Sequence, residues 1–183
     1  MIGTLITSKT RIKLLLKFFL NPKASSYLRA LEEEFGESSN SIRVELNRFE
    51  EAGLLTSSLT SNRKLFRANL QHPLYRDIHN ILRKYVGIDK IIDQVIERIG
   101  DVKEVHLLGN FARGLDSLKI ELLITSEGLD EEYLKRLVEK VEKMIDRDIS
   151  YLIRIPDEAA VYLGNIGNSD HLLIWRNEGE EIP

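Results

Sequence analysis

The sequence predicts an α+β protein with a mainly helical first half and a second half in which strands alternate with helices. Apolar residues recur at helical spacing through most of the first 50 residues, whereas short alternating or continuous apolar runs occur after residue 101. The charge divides at nearly the same place. Residues 1–87 contain 14 Lys and Arg against 8 Asp and Glu, and residues 88–183 contain 12 against 21. This asymmetry favours a first half that faces a polyanion and a second half with another task.

The composition excludes several classes of protein. The chain has 183 residues, of which 43% are hydrophobic and 30% charged, as is ordinary for a soluble globular protein. No run approaches the roughly 20 apolar residues of a membrane-spanning helix, and residues 1–10 show no signal-peptide pattern. The absence of cysteine excludes disulfides and thiolate metal sites. We therefore expect a cytoplasmic protein without a membrane partner.

Three helices are predicted between residues 8 and 53. Ser8 is a suitable N-cap for the first helix, which should end before Pro22 because proline lacks an amide proton. Ser25 or Ser26 should cap the second helix, and Gly36 should end it. The third helix follows a short polar turn and should end at Gly53, a spacing that matches a helix-turn-helix. The predicted inward residues are Ile12, Leu15, Leu16 and Phe19, then Leu28, Leu31 and Phe35, then Ile42, Leu46 and Phe49.

The third helix has a polar face opposite its apolar stripe. Asn40, Arg43 and Asn47 lie at positions i, i+3 and i+7. Side chains of these types hydrogen-bond base edges or phosphates in a major groove. A merely solvated polar face is the alternative interpretation of this helix.

A β-hairpin is predicted directly after the third helix. Leu54–Ser58 and Lys64–Ala68 should form its strands, and Thr60–Arg63 its polar tip. A hairpin in this position is a wing, whose basic residues contact the DNA backbone or minor groove. The predicted DNA-binding residues are Ser39, Asn40, Arg43, Asn47, Arg48, Arg63, Lys64 and Arg67.

The stretch Ser39–Tyr75 resembles the winged helix of ArsR-like bacterial and archaeal transcriptional regulators. The elements that carry the resemblance are Glu45–Arg48, Glu51–Leu54, Asn62–Lys64 with Phe66–Asn69, and His72–Tyr75. The resemblance implies a double-stranded DNA partner. Because helix-turn-helix proteins usually read paired half-sites as two-fold dimers, we also expect a homodimer.

No metal site is predicted. The four histidines His72, His79, His106 and His171 do not form a tight cluster, although some ArsR-like regulators sense metals. For His72, a local fold contact or an N-cap role before Pro73 is favoured.

A helical connector should link the two halves. Pro73 suits the first turn of a helix, and apolar residues continue at helical spacing on both sides of Gly87 as far as Gly100. The apolar faces could be core or a dimer seam, and the sequence leaves this open. We expect a DNA-binding domain at residues 1–72, a connector at 73–100 and a third domain at 101–183.

The third domain should be an α/β domain with a mixed sheet. Strands are predicted at 102–108, 120–125, 149–155 and 171–175, and a helix that Asp130 caps. Leu134, Leu137, Val138, Val141, Met144 and Ile145 should form the apolar face of that helix. Trp175 is interpreted as a core residue, residues 164–168 as turns without a motif, and the acidic end, residues 178–181, as solvated.

Residues 106–125 contain the sharpest motif, HLLGNFARGLDSLKIELLIT. It resembles the signature of minimal nucleotidyltransferases of the polymerase-β superfamily, approximately G-S-x-A-R-G followed by S-D-x-D-L. In that family the glycine turn and the next helix hold a nucleoside triphosphate, and the two aspartates bind Mg²⁺. Gly109, Ala112, Arg113 and Gly114 match, whereas Asn110 replaces the serine.

The catalytic carboxylates of that family are replaced here. Lys119 and Glu121 fall at the two aspartate positions, and residues 149–155 offer no third carboxylate, with Asp148 just outside them. Because a lysine ammonium cannot ligate Mg²⁺, we expect no enzyme activity and no cofactor. The domain is either a remnant that serves dimerisation or a sensor of a nucleotide or small anionic effector. The candidate anion-binding residues are Gly109, Asn110, Arg113 and Lys119.

The sequence thus predicts a sequence-specific DNA-binding transcriptional regulator, with repression favoured, and a catalytically inactive nucleotidyltransferase-like domain. The alternative is an active nucleotidyltransferase with the winged helix as its substrate-docking module. A third interpretation is an interaction scaffold in which the winged helix binds protein.

Overall fold

The computed structural model describes residues 6–167 and 170–177. It confirms an α+β protein with two sheets, one of three antiparallel strands and one of four strands in mixed directions. The chain divides into two compact units: Met1–Tyr85 with Gly114–Asp116, and Val86–Arg113 with Ser117–Pro183. The two helices predicted as a connector belong mainly to different units.

The first unit begins with helices that follow the predicted caps. The Ser8 hydroxyl accepts a hydrogen bond from the Arg11 amide at 3.2 Å, and Gly36 ends the second helix with φ 63°. The elements are α1 Lys9–Leu15 with a π-helical extension Leu16–Leu20, β1 Ser25–Tyr27, α2 Leu28–Phe35, α3 Ser39–Glu51, β2 Leu55–Thr60, β3 Arg63–Ala68 and α4 Tyr75–Val86.

The predicted cap at Ser25 or Ser26 is wrong. Both serines lie in β1, whose residues pair with β3 from Ser25 opposite Arg67 to Tyr27 opposite Leu65. Tyr27 precedes α2 instead, without a side-chain cap. Pairing with β3 holds both serines in extended backbone, so α2 begins only after the strand ends, at Leu28.

The hairpin is tighter than predicted. Its strands are longer, and the turn consists of Ser61 and Asn62 alone, with φ 49° and 61°. Two consecutive positive φ angles are typical of the type I′ turn, which matches the twist of the paired strands. The strand order is β1-β3-β2.

The second unit is built around the four-stranded sheet. Its elements are α5 Ile88–Ile91 with a π-helical extension Ile92–Ile96, α6 Glu97–Ile99, β4 Val102–Leu108, α7 Gly109–Ala112, β5 Lys119–Ser126, α8 Glu131–Ile145, β6 Asp148–Arg154, α9 Pro156–Asn165 and β7 His171–Arg176. The strand order is β6-β5-β4-β7. The helix α8 connects the parallel strands β5 and β6 and packs with residues 88–96. Leu108 and Leu123 of the sheet form a buried core with Ala159 of α9.

Three expectations for this unit need correction. The last residue of the predicted strand, Ile155, is instead the N-cap of α9. This helix begins with proline and two acidic residues in its first turn, and it takes in Gly164 and Asn165 of the predicted turn. Met144 is 47% exposed rather than part of the buried face of α8. Trp175 is only half-buried, beside the buried Ile174. The acidic end at 178–181 lies outside the described residues.

Candidate nucleic-acid surface and candidate ligand cavity

The helix α3 is held by an apolar stripe that leaves its polar face outward. Ile42, Leu46 and Phe49 are buried, whereas Asn40, Arg43 and Asn47 are exposed. In the described part of the chain, none of these three polar side chains has a hydrogen-bonding or ion-pair partner, so all three can contact an external molecule.

Two further predicted residues of α3 have partners within the protein. The Ser39 hydroxyl is hydrogen-bonded to the carboxylate of Glu32, and it joins α3 to α2. Arg48 Nη1 lies 3.2 Å from Glu45 Oε1, although 59% of the arginine side chain is exposed. Arg48 can therefore reach outward only by sharing or leaving this ion pair.

The carboxylate of Glu45 is buried and joins α1 to α3. Its side chain is 8% exposed and accepts hydrogen bonds from Arg11 Nε at 2.9 Å and Arg11 Nη2 at 3.2 Å. The Ser8 hydroxyl donates to the same group at 3.4 Å. Sequence reasoning missed this role because Arg11 lies 34 residues earlier and no local pattern connects the two.

The basic residues of the hairpin lie on different faces of its sheet. Lys64 donates to the carboxylate of Glu50 in α3, and this bond, with a second from Ser57, holds the pKa of Glu50 below its usual value. Because side chains alternate along a strand, Arg63 and Arg67 lie on the sheet face away from α3. Arg63 stacks on the Tyr27 ring at 5.2 Å. The structure therefore does not bring Arg67 together with the polar face of α3. Arg63 differs from Arg67 in lying next to the turn, opposite Thr60, so it belongs to the tip of the hairpin.

Many basic residues of the first unit are paired with carboxylates. Such ion pairs in the described part of the chain include Arg11–Glu45, Lys13–Glu37, Lys17–Glu34, Arg29–Glu33, Arg48–Glu45 and Lys64–Glu50. The cationic excess of the sequence is thus partly neutralised locally.

A cavity of about 670 Å³ lies in the second unit at the carboxyl end of β4. The glycine turn at Gly109 and the first residues of β5 form one side, and β6 and α9 form the other. Four charged residues line it, Arg113, Lys119, Glu121 and Asp170, together with the polar side chains of Ser150 and Asn165.

Each cation in this cavity faces a carboxylate. Lys119 Nζ is 4.0 Å from Glu121 Oε1, and Arg113 Nε is 3.7 Å from Asp170 Oδ1. Asn110 does not line the cavity, but its side-chain oxygen accepts from Arg113 Nη2 at 3.0 Å. An anionic ligand would have to displace or share these pairs. Asp170 was missed from the sequence because it follows α9, far along the chain from Arg113.

The residues at the motif do not fit a magnesium site. A Cβ added at Gly109 would collide with Glu121 Oε2, so this carboxylate lies directly on the glycine turn. The other motif position holds the Lys119 ammonium, a cation where Mg²⁺ requires oxygen ligands. Among the described residues, no three His, Asp or Glu side chains are grouped so as to hold a metal ion.

The histidines have local contacts. His72 has a capping role of the kind predicted, since its Nδ1 accepts from the Leu74 amide at 3.2 Å. His79 Nδ1 lies 2.7 Å from the Phe19 carbonyl oxygen. His106 and His171 are edge to face, 5.5 Å apart, and burial lowers the pKa of His106.

No family model, curated protein or solved structure matches the chain. Within the described ranges, no helix combines the length and apolar character needed to cross a bilayer.

Proposed function

We propose that this chain is a sequence-specific DNA-binding transcriptional repressor of the ArsR-like winged helix-turn-helix type. The observation that supports the proposal is the outward face of α3, where Asn40, Arg43 and Asn47 are exposed and have no partner within the described residues. A short turn joins α2 to this helix, and a hairpin with a two-residue turn follows it. This element order is that of a recognition helix with a wing.

The spacing of the three side chains suits a major groove. Seven helical residues span about 10 Å along the axis, which corresponds to roughly three base pairs at about 3.4 Å each. Asparagine amides can both donate to and accept from an adenine edge, and an arginine can bind guanine or a phosphate. Arg63 at the hairpin turn would add a backbone contact.

In the same proposal, the second unit is a nucleotidyltransferase-like domain that has lost catalysis and serves dimerisation or ligand sensing. The likeness is supported by the order strand, Gly109 turn, strand, helix and parallel strand, with Lys119 and Glu121 at the start of the second strand. The Lys119–Glu121 ion pair occupies the positions of the metal-binding aspartates. The cavity beside them is the place for a nucleotide or small anionic effector.

DNA binding is tested by selecting bound sites from a random pool and measuring affinity for the selected site. Arg43→Ala is expected to weaken binding by about 1–3 kcal/mol, roughly 5- to 150-fold, because a base or phosphate contact is lost. Arg98→Ala is the matched control, since Arg98 is an exposed arginine of the second unit. Equal affinities of the two variants, or the failure of any sequence to be enriched, would refute the proposed surface.

The absence of catalysis is tested with labelled nucleoside triphosphates and Mg²⁺, using the full chain with RNA and protein acceptors. We expect no label transfer, because Glu121 is the single carboxylate at the two motif positions. Glu121→Gln provides the background. Transfer by the natural chain above that background would favour the alternative, an active nucleotidyltransferase with a docking module.

A further inference from the structure

The strand β6 forms one edge of the four-stranded sheet, and its other side is bonded to β5. The Asp148 amide donates to the Leu118 carbonyl at 2.9 Å, so Asp148 directs its backbone groups toward β5. Because these groups alternate in direction along a strand, Ile149, Tyr151 and Ile153 direct theirs toward the free edge.

Only part of this edge is covered. Glu142 accepts from the Ile149 amide at 2.6 Å, and Arg154 Nη1 donates to the Ile153 carbonyl at 2.7 Å. Within the described residues, both backbone groups of Tyr151, the Ile153 amide and the Ile149 carbonyl have no partner. These four groups are arranged symmetrically about Tyr151.

The edge also lacks the usual features that prevent pairing with another strand. Natural edge strands commonly carry proline, charged side chains such as lysine, or a bulge. Residues 148–154 contain no proline and no lysine, their two charged residues stand at the two ends of the strand, and their register with β5 is continuous. The opposite edge strand, β7, pairs with an irregular register at Val105 and His106.

We propose that two copies of the chain join through β6, antiparallel about a two-fold axis at Tyr151, and form one continuous eight-stranded sheet. In this register Tyr151 pairs with the second copy's Tyr151, and Ile149 pairs with Ile153. The uncovered groups supply four backbone hydrogen bonds. Two more form when the Ile149 amide of one copy leaves Glu142 and donates to the Ile153 carbonyl of the other copy, which leaves Arg154.

Charge complementarity fixes this register. Asp148 and Arg154, at the two ends of β6, lie opposite each other across the two-fold axis, with their side chains on the same sheet face. Asp148 is exposed, and the present partner of Arg154 is the exposed Glu158, whose Oε2 is 3.8 Å from Arg154 Nε. A register shifted by two residues loses both Asp148–Arg154 pairs.

The proposed edge adjoins the cavity of the second unit. Ser150 and Leu152 line that cavity, and the second copy's Leu152 lies opposite Ser150 in the proposed register. Dimerisation would therefore place an apolar side chain of the second copy at the rim of the cavity. This inference is independent of the DNA-binding proposal, because it depends only on β6 and its neighbours.

Sedimentation velocity of the full chain over a range of concentrations tests the interface. The natural chain is expected to dimerise. Asp148→Arg and Arg154→Asp are each expected to raise the dimer dissociation constant about tenfold or more, because like charges then face each other. The double variant Asp148→Arg with Arg154→Asp restores opposite charges and should restore the dimer.

Tyr151→Pro provides a second, independent measurement. This substitution removes an amide donor that makes no hydrogen bond to β5. The far-ultraviolet circular dichroism spectrum should therefore stay unchanged while the dimer is lost. A natural chain that stays monomeric overturns the proposal. It is also overturned if the folded single charge variants dimerise as tightly as the natural chain, or if the folded double variant does not regain the dimer.

Discussion

Replacing Gly114 with alanine is expected to lower the free energy of unfolding of the first unit by about 2–5 kcal/mol. Gly114 has φ 78°, and a Cβ there would collide with the Cα of Lys17 and lie 2.9 Å from the Leu16 carbonyl oxygen. These are backbone atoms of the π-helical extension of α1. A side-chain rotation cannot relieve a collision with backbone atoms, so the helix itself must shift.

Gly36→Ala separates the collision from the backbone strain. Gly36 also has a positive φ, 63°, but no atom lies within 4 Å of the position that an alanine methyl group would occupy. Its replacement should cost only the left-handed strain, about 1–2 kcal/mol. Urea unfolding, monitored by amide hydrogen exchange in α1 and α2, measures the free energy of unfolding of both variants. Equal losses in the two variants would contradict the close approach of Gly114 to α1.

Glu45→Ala is expected to cost the same unit about 2–3 kcal/mol. A buried pair that loses one partner typically costs more, but Arg11 and Arg48 are each more than one-third exposed and can regain water. The loss should come from the broken connection between α1 and α3. Amide hydrogen exchange in these two helices is the appropriate measurement, because the single tryptophan, Trp175, lies in the second unit.

Glu33→Ala is the matched control for Glu45→Ala. Glu33 is a glutamate of α2 whose side chain is 78% exposed, and its Oε1 lies 3.9 Å from Arg29 Nε. Such surface pairs contribute about 0–1 kcal/mol. If Glu45→Ala costs no more than Glu33→Ala, the carboxylate does not join the two helices.

Features that depend on residues within one helical turn could be predicted from the sequence. Ser8 and Asp130 cap their helices as expected, and Gly36 ends α2. The strand β1 was missed because three residues gain strand structure only by pairing with β3, about 40 residues later. The start of α9 did carry a local signal at Pro156, but the alternating apolar residues before it extended the predicted strand too far.

In the candidate sites, too, local features could be predicted from the sequence and contacts between distant elements could not. Helical spacing alone decides that Asn40, Arg43 and Asn47 share an exposed face, and the structure places them there. The partners that restrain Lys64 and Arg113 come from other elements, namely Glu50 and Asp170. No pattern along the chain reveals such pairings, because they depend on how strands and helices pack.

The internal ion pairs of the first unit bear on how DNA binding would respond to salt. Each phosphate that a cation neutralises releases condensed counterions and adds about −0.9 to the slope of log affinity against log salt. A lysine or arginine already held by a carboxylate releases few counterions unless it leaves that partner. The slope of the proposed complex should therefore reflect Arg43, Arg63 and a few neighbours rather than all 14 cations of residues 1–87. Much of its affinity would then persist as the ionic strength rises.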